Sequence, residues 1–559
     1  MAKRVPRPRR PRAARRDTPA RRDSPEQRGL LERILDTPHL AHVVPRLPPE
    51  VLHRVIQTCG LEDCAELVAL ATPGQLARVF DLDLWKAAQP GLDEQFDADR
   101  FGLWLEVMME SGAASAAQTL AGVDVDLATA AFAQHVLVFD PAAMSPTESS
   151  DGDEMPSVET SHDGPSCEVG GYRVVGKRDD SWDAVVAILH ALDAQHDTYF
   201  DRLMRGCRSL SNSGYELDGL DDRLPGDEQV RFDVAFTRER RREQHGYMTP
   251  AQARAFLQMS REIRLGHDTP PPANPIARAY FQAIDWTTEA DAGSGSLRLP
   301  AGSGAPSAAE DSADAINDFV DVLRDAGVLP QQPRALLDGP QGPASRLARI
   351  QALMQFAGER DQIAFSMRGQ ELAFLANTIA AGCSIQARPF TPDEASEAAV
   401  ATCNLGLEHW PSRAALPDDF LVDHDLVRVF QAGWTVLHEN VCMYAAEQLI
   451  GVLKRLQCDD RETQAGLHAL RIEMTKQWRA GAPWRARDAL DVMTTLDMPA
   501  WAALLGLIDE CPVLHAGIGV AQHSRARQIS ATAFTFISEN RQITSVHTFM
   551  RSLPETLRG

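Results

Sequence analysis

One short signal, repeated along the chain, limits what it can fold into. A hydroxyl residue, then proline, then glutamate or glutamine three residues after the hydroxyl, occurs at Ser24-Pro25-Glu26-Gln27, Thr72-Pro73-Gly74-Gln75, Thr249-Pro250-Ala251-Gln252 and Thr391-Pro392-Asp393-Glu394. In such a box the hydroxyl accepts from a free amide of the first helical turn. The Glu or Gln side chain accepts from the capping residue's own amide, and proline arrives with its φ already set for the first helical position. Each box therefore starts a helix. Apolar residues follow at helical spacing: Leu76, Val79 and Phe80 after the second box, Ala253, Phe256 and Leu257 after the third. Ile316, Phe319, Val320 and Leu323 repeat the pattern, with Gly327 placed to end that helix in a left-handed turn.

The longest such stretch, 425 to 456, is apolar nearly all round, from Leu426, Val429, Phe430 and Trp434 to Leu449, Val452 and Leu456, and so belongs at the centre of its domain. Near the amino terminus, helices are expected from Leu47-Pro48-Pro49-Glu50 to Gly60, over Leu61 to Ala71, and from Thr72 to Trp85, with a further group from Phe101 to Phe139. Short helices with tight turns suggest a right-angle stack or solenoid, although no strict period is present. Strand signals are few: Val169-Gly170-Gly171-Tyr172 predicts a small hairpin over 168–176, which Val136 to Phe139 extends or pairs. The fold class expected is all-α, stacked short helices with at most that hairpin.

Composition cuts this pattern into blocks. Residues 1–28 are a basic tail expected to be disordered, because prolines alternate with arginines and almost nothing apolar is available for burial. Residues 141–166 form an acidic linker without Lys or Arg, and 287–313 a Gly/Ser/Ala linker. Three helical blocks remain: an N-terminal stack over 29–140, a central domain over 167–286 carrying the hairpin, and a C-terminal domain over 314–559.

The formal charge is -22, from 56 basic and 78 acidic residues, yet the first 22 residues hold ten basic groups against Asp17 alone. Arg7, Arg9, Arg10, Arg12, Arg15 and Arg16 are candidates for binding a polyanion, either nucleic acid or an anionic membrane surface. The plainer reading is a solubilising extension or a tether to the acidic body. That body repels DNA, so any nucleic-acid role depends on the tail alone. No window approaches the roughly 18 uncharged apolar residues of a membrane span, and no apolar stretch of a leader follows the basic start. A cytoplasmic protein without an integral membrane segment is expected. Nine cysteines without a CxxC pair read as reduced core residues.

The run LPPEVLHRVIQTCGLEDCAELVALATPGQLARVFDLDLW over 47–85, RREQHGYMTPAQARAFL over 241–257 and Phe430-Gln431-Ala432-Gly433-Trp434 together resemble a family of uncharacterised bacterial proteins, domain-of-unknown-function family 6178. The likeness spans most of 30–460 and implies common ancestry without lending an activity or catalytic residues. Residues 47–85 also resemble the helical N-terminal domain of MgtE-type magnesium channels, where short helices stack as a regulatory superhelix. The acidic magnesium-sensing surface of that domain has no residue-by-residue match here.

Five groups of residues are candidates for chemistry. His438-Glu439-x-x-Cys442 has the spacing of a zincin helix, with cysteine where the second histidine would stand, so a packed core imidazole and thiol compete with metal binding. His190, Asp193 and His196 recur every three residues, and His39 and His42 form a similar pair; both also read as solvated faces. Asp423-His424-Asp425 suits an oriented imidazole, or an ordinary helix start with acids at the positive end of the dipole. Arg238, Arg240, Arg241 and Arg242 are interleaved with Glu239 and Glu243, which reads as a solvated face. There is no nucleophile elbow, no phosphate loop and no dinucleotide fingerprint, and no cofactor is expected. These observations lean away from an enzyme and towards a scaffold, adaptor or regulatory protein whose partner is another protein. An enzyme with an unrecognised site in the C-terminal domain, and a binder of nucleic acid or anionic membrane through the tail, are the alternatives.

Overall fold

The fold was analysed in a computed structural model, which describes residues 25–37, 40–87, 92–139, 164–212, 226–244, 247–266, 269–283, 319, 322–323, 346–412, 415–496, 501–516, 518 and 533–556. The capping boxes do what their chemistry requires. Thr72 accepts from the Gln75 amide at 3.2 Å while Gln75 Oε1 accepts from the Thr72 amide at 2.8 Å, and the helix Pro73–Asp83 follows. Thr391 and Glu394 make the same reciprocal pair before Pro392–Glu408. Thr249 caps Pro250–Arg261 through Gln252, whose own side chain turns to Glu243 instead. A helix also runs over Pro25–Leu35, inside the boundary expected for the tail, while Ser24 lies outside the described residues.

The chain is mostly helical, with three small antiparallel sheets among the described residues. The hairpin forms as its glycines demand: Gly170 and Gly171 have φ of 56° and 82°, the two left-handed positions of a tight hairpin turn. It joins β4 (Ser166–Val169) to β5 (Tyr172–Gly176), and β3 (Val136–Phe139) pairs with the other edge of β5, Val136 opposite Gly176. Val138, Val169 and Val174 are buried, so this sheet belongs to the core. Two ribbons were not foreseen: β1 (Trp85–Ala87) with β2 (Glu94–Phe96), and β6 (Val513–His515) with β7 (Phe534–Phe536). Three-residue strands are too short for a period of two to show in sequence.

Buried apolar side chains divide differently from the three blocks. One core gathers residues from Leu30 to Val234 together with Phe319 and Leu323; the other runs from Met248 to Leu553. Among the described residues, 167–286 make no core of their own. The helices Trp182–Gln195 and Asp197–Asn212 lay their stripes on Ala113–Ala121 and Val125–His135, whereas Pro250–Arg261 packs on Gln362–Gly382 and Leu426–Val436. Phe319 and Leu323, placed by sequence in the last block, are buried in the first core; Ile316, Val320 and Gly327 lie outside the described residues. An amphipathic stripe is buried by whichever apolar face the topology brings to it, which need not be its neighbour in sequence.

The centre of the second core is the long helix expected over 425–456. It is continuous but not uniform: Leu426–Val436 passes into a π-helical segment, Leu437–Met443, before Tyr444–Leu453 resumes the α form. Against it lies Pro392–Glu408, at a crossing where Gly406 and Gly433 face each other's backbone. Among the described residues no helix is long and apolar enough to cross a membrane.

Candidate binding cleft and the surface helix

The helix Pro250–Arg261 delivers Arg261 in its last turn, where a cation suits the negative end of the dipole. The side chain is only 7% exposed, and its guanidinium lies 4.3 Å from the Trp484 ring and 5.5 Å from Trp434. A planar, weakly hydrated cation is suited to such a position between indoles. Arg261 Nη2 also donates to Glu510 Oε1 at 3.3 Å, and Glu510 Oε2 accepts from the Ser384 amide. Burial pushes the Glu510 carboxyl above the ordinary range, and Arg261 opposes this only in part.

Asp509 next to it is buried more deeply. It accepts from the Gln386 amide at 2.6 Å, from the Glu510 amide at 2.8 Å and from Arg487 at 3.4 Å, and burial raises its carboxyl as well. Its bond to Gln386 fixes a turn in which Gln386 and Ala387 take φ of 51° and 61°, while Ile385 and Arg388 exchange backbone hydrogen bonds across it. Non-glycine residues in that region cost about 1–3 kcal/mol each and persist only where surrounding contacts hold them. A cleft of about 370 Å³ opens above Arg261, Trp484 and Glu510, with Arg254 and Arg485 among its walls.

His438 and Cys442 lie on the π-helical segment and Glu439 is exposed on it. Cys442 is 1% exposed and its thiol is pushed up by burial; His438 is half-buried, edge-on to Trp484, and burial followed by the charge of Arg261 brings its imidazole down to about 4. Among the described residues no three His, Cys, Asp or Glu side chains are grouped so as to hold a metal. His190 is exposed, but its helix ends at Gln195, so His196 falls at the cap and the three-residue repeat is broken. His42 lies within the four-residue helix Leu40–Val43, and His39 lies outside the described residues. Asp425 caps Leu426–Val436 through the Arg428 amide while His424 stacks on Phe420 at 4.3 Å, which is the helix-start reading. Arg7, Arg9, Arg10, Arg12, Arg15 and Arg16 lie outside the described residues, as do most of the linkers at 141–166 and all of that at 287–313.

The arginine run requires a correction. On the helix Gly226–Gln244, Arg238 is 2% exposed instead of solvated: it lies 4.6 Å over Trp85, pairs with Glu94 at 2.7 Å and donates to the Asp81 carbonyl. Arg241 forks onto the Asp81 carboxylate at 2.6 and 2.9 Å, and Arg242 joins Glu94. Burial, with Arg242 alongside, brings Arg238 down to about 10, still protonated at neutral pH. The partners are more than 140 residues away in sequence, so local charge alternation could not reveal them. With one face anchored, the other points outward and carries Phe232 and Phe236, 60% and 54% exposed. On a different side of the same helix, through Val230, Val234 and Thr237, a hollow of about 240 Å³ is lined by Asp124, Asp126 and Asp233, opposed by Arg241.

Residues 13–218 match the model of a family of unknown function, DUF6178. The match ends before the 241–257 and 430–434 motifs, and it brings no support for the likeness to the magnesium-channel domain. No curated protein and no solved structure matches the chain.

Proposed function

We propose that this chain is a cytoplasmic helical scaffold or adaptor that binds another protein through the outward face of Gly226–Gln244. The observation carrying this reading is the pair Phe232 and Phe236. Two phenylalanines at i and i+4, more than half exposed, are the anchor spacing with which an amphipathic helix enters an apolar groove. Exposed phenylalanine is disfavoured unless it is covered in a complex, and Arg238, Arg241 and Arg242 hold the helix rigid beneath it. The exposed Asp233, next to Phe232 on the same helix, specifies the partner's chemistry: an apolar groove rimmed by lysine or arginine.

The alternative of an enzyme centred on His438 and Cys442 is weakened by the burial of the thiol and the absence of converging ligands among the described residues. The test is capture of partners from the native lysate by wild type, by Phe232→Ser/Phe236→Ser and by Asp233→Lys, over a salt series. A protein held by wild type should be lost with the phenylalanine pair, weakened by Asp233→Lys and released by salt, while circular dichroism stays unchanged. Equal recovery by wild type and the phenylalanine double variant would refute the proposal.

A further inference from the structure

Independently of the protein-docking reading, we infer that the cleft above Arg261 is a binding site for a small molecule ending in an oxyanion, a phosphate ester or a carboxylate. Its volume, about 370 Å³, falls within the roughly 300–1,000 Å³ usual for small-ligand sites. Arg254, Arg261 and Arg485 line it against one acid, Glu510, a local excess of positive charge in a chain whose net charge is -22. The three arginines are not equivalent. Arg254 is taken up by Asp93 at 2.9 Å, and Arg261 is shared among Trp434, Trp484 and Glu510. Arg485 is exposed at the rim and has no partner among the described residues.

The geometry thus pairs a buried, immobile guanidinium at the floor with an uncommitted one at the mouth. Guanidinium forks are matched to planar or tetrahedral oxyanions, and ordering one side chain at the rim costs less than assembling a site from several mobile ones. The floor is held by neighbouring structure: Asp509 fixes the left-handed turn at Gln386 and Ala387, and the turn's next amide partner, Ser384, holds Glu510 in place beneath Arg261. The cleft is too small and its basic character too local for a nucleic-acid strand, which needs a positive surface tracking many phosphates.

Isothermal titration calorimetry at low salt tests this on the full chain with three probes: inorganic phosphate, glycerol 3-phosphate and succinate. Wild type should bind at least one of them saturably with one site per chain. Arg485→Ser, an exposed change that leaves the floor intact, should weaken that binding about tenfold, and Arg485→Glu should abolish it. Arg455→Ser, at an exposed cation outside the cleft, should leave it unchanged. Binding of glycerol 3-phosphate but not succinate assigns a phosphate ester, and the reverse assigns a carboxylate. Three silent titrations, wild-type affinity in Arg485→Ser, or equal loss in Arg455→Ser would each overturn the inference.

Discussion

Gly433→Ala destabilises the second core by about 3 kcal/mol, and Gly406→Ala by a similar amount, the cost of forcing backbone apart in a filled interior. At the crossing of Pro392–Glu408 and Leu426–Val436, a Cβ added to Gly433 would land on the Thr402 carbonyl oxygen, and one added to Gly406 on that of Val429, in each case inside van der Waals contact. The obstructing atoms are backbone, so no side chain can rotate away and the helices must separate. Separation is costly because Val429, Phe430, Ala399, Val400 and Cys403 at this crossing are fully buried. Gly369 and Gly451, also within helices, have no atom within 4 Å of an added Cβ. Alanine there should stabilise by up to about 1 kcal/mol, the helix-propensity gain alone. Urea unfolding followed by circular dichroism separates the two pairs; a Gly433→Ala midpoint equal to that of wild type would mean the helices do not approach as described.

In the first core the largest single effect is expected at Asp83. Its carboxylate is 6% exposed and accepts from Arg100 Nε at 2.6 Å, Trp104 Nε1 at 2.7 Å and His53 at 3.2 Å. Asp83→Ala leaves a partly buried guanidinium and an indole N–H without their acceptor and should cost about 3–5 kcal/mol. Burial by itself would raise this carboxyl, but the bonds from His53, Arg100 and Trp104 outweigh it and hold the group down to about 2, against an ordinary 3.8. The depressed value fixes the sign: the contribution is complete above pH 4 and disappears as pH falls towards 2. It amounts to about 2–3 kcal/mol. Asp83→Asn lacks the titration, so its urea midpoint should fall less than that of wild type between pH 5 and pH 2.5. Parallel curves for the two proteins would show that the carboxylate is not held in this way.

What could be read from sequence was whatever is local. The capping boxes at Thr72 and Thr391 and the Gly170-Gly171 turn each complete their chemistry within four residues, so composition and spacing suffice. The extent of the central helix was legible from its apolar face, but not the π-helical segment at 437–443, which changes hydrogen-bond register without changing the hydrophobic pattern. The partition into cores was not legible, because helices 182–195 and 250–261 look alike as amphipathic stripes and only the topology decides which core each one joins. The cleft was missed because its parts lie at 254–261, 382, 480–485 and 510. One signal was available: Asp509 and Glu510 stand in the otherwise apolar stretch LLGLIDECPVL, and acids so surrounded are either buried with partners or part of a site. Phe232 and Phe236 were equally visible at helical spacing, but with Val230 and Val234 beside them the pattern alone could not say which pair faces outward.

The claim on which the functional account rests is that the outward face of Gly226–Gln244 is covered by a protein partner in the cell. Incorporation of a photo-crosslinking residue at Arg240, exposed one turn after Phe236 on the same face, measures this directly, with the exposed Glu110 as a control position on the same core. A single protein adduct should form from position 240 and not from 110, and it should vanish when Phe232→Ser and Phe236→Ser are added. Indistinguishable adducts from both positions, or an adduct at 240 that survives loss of the phenylalanines, would contradict the account.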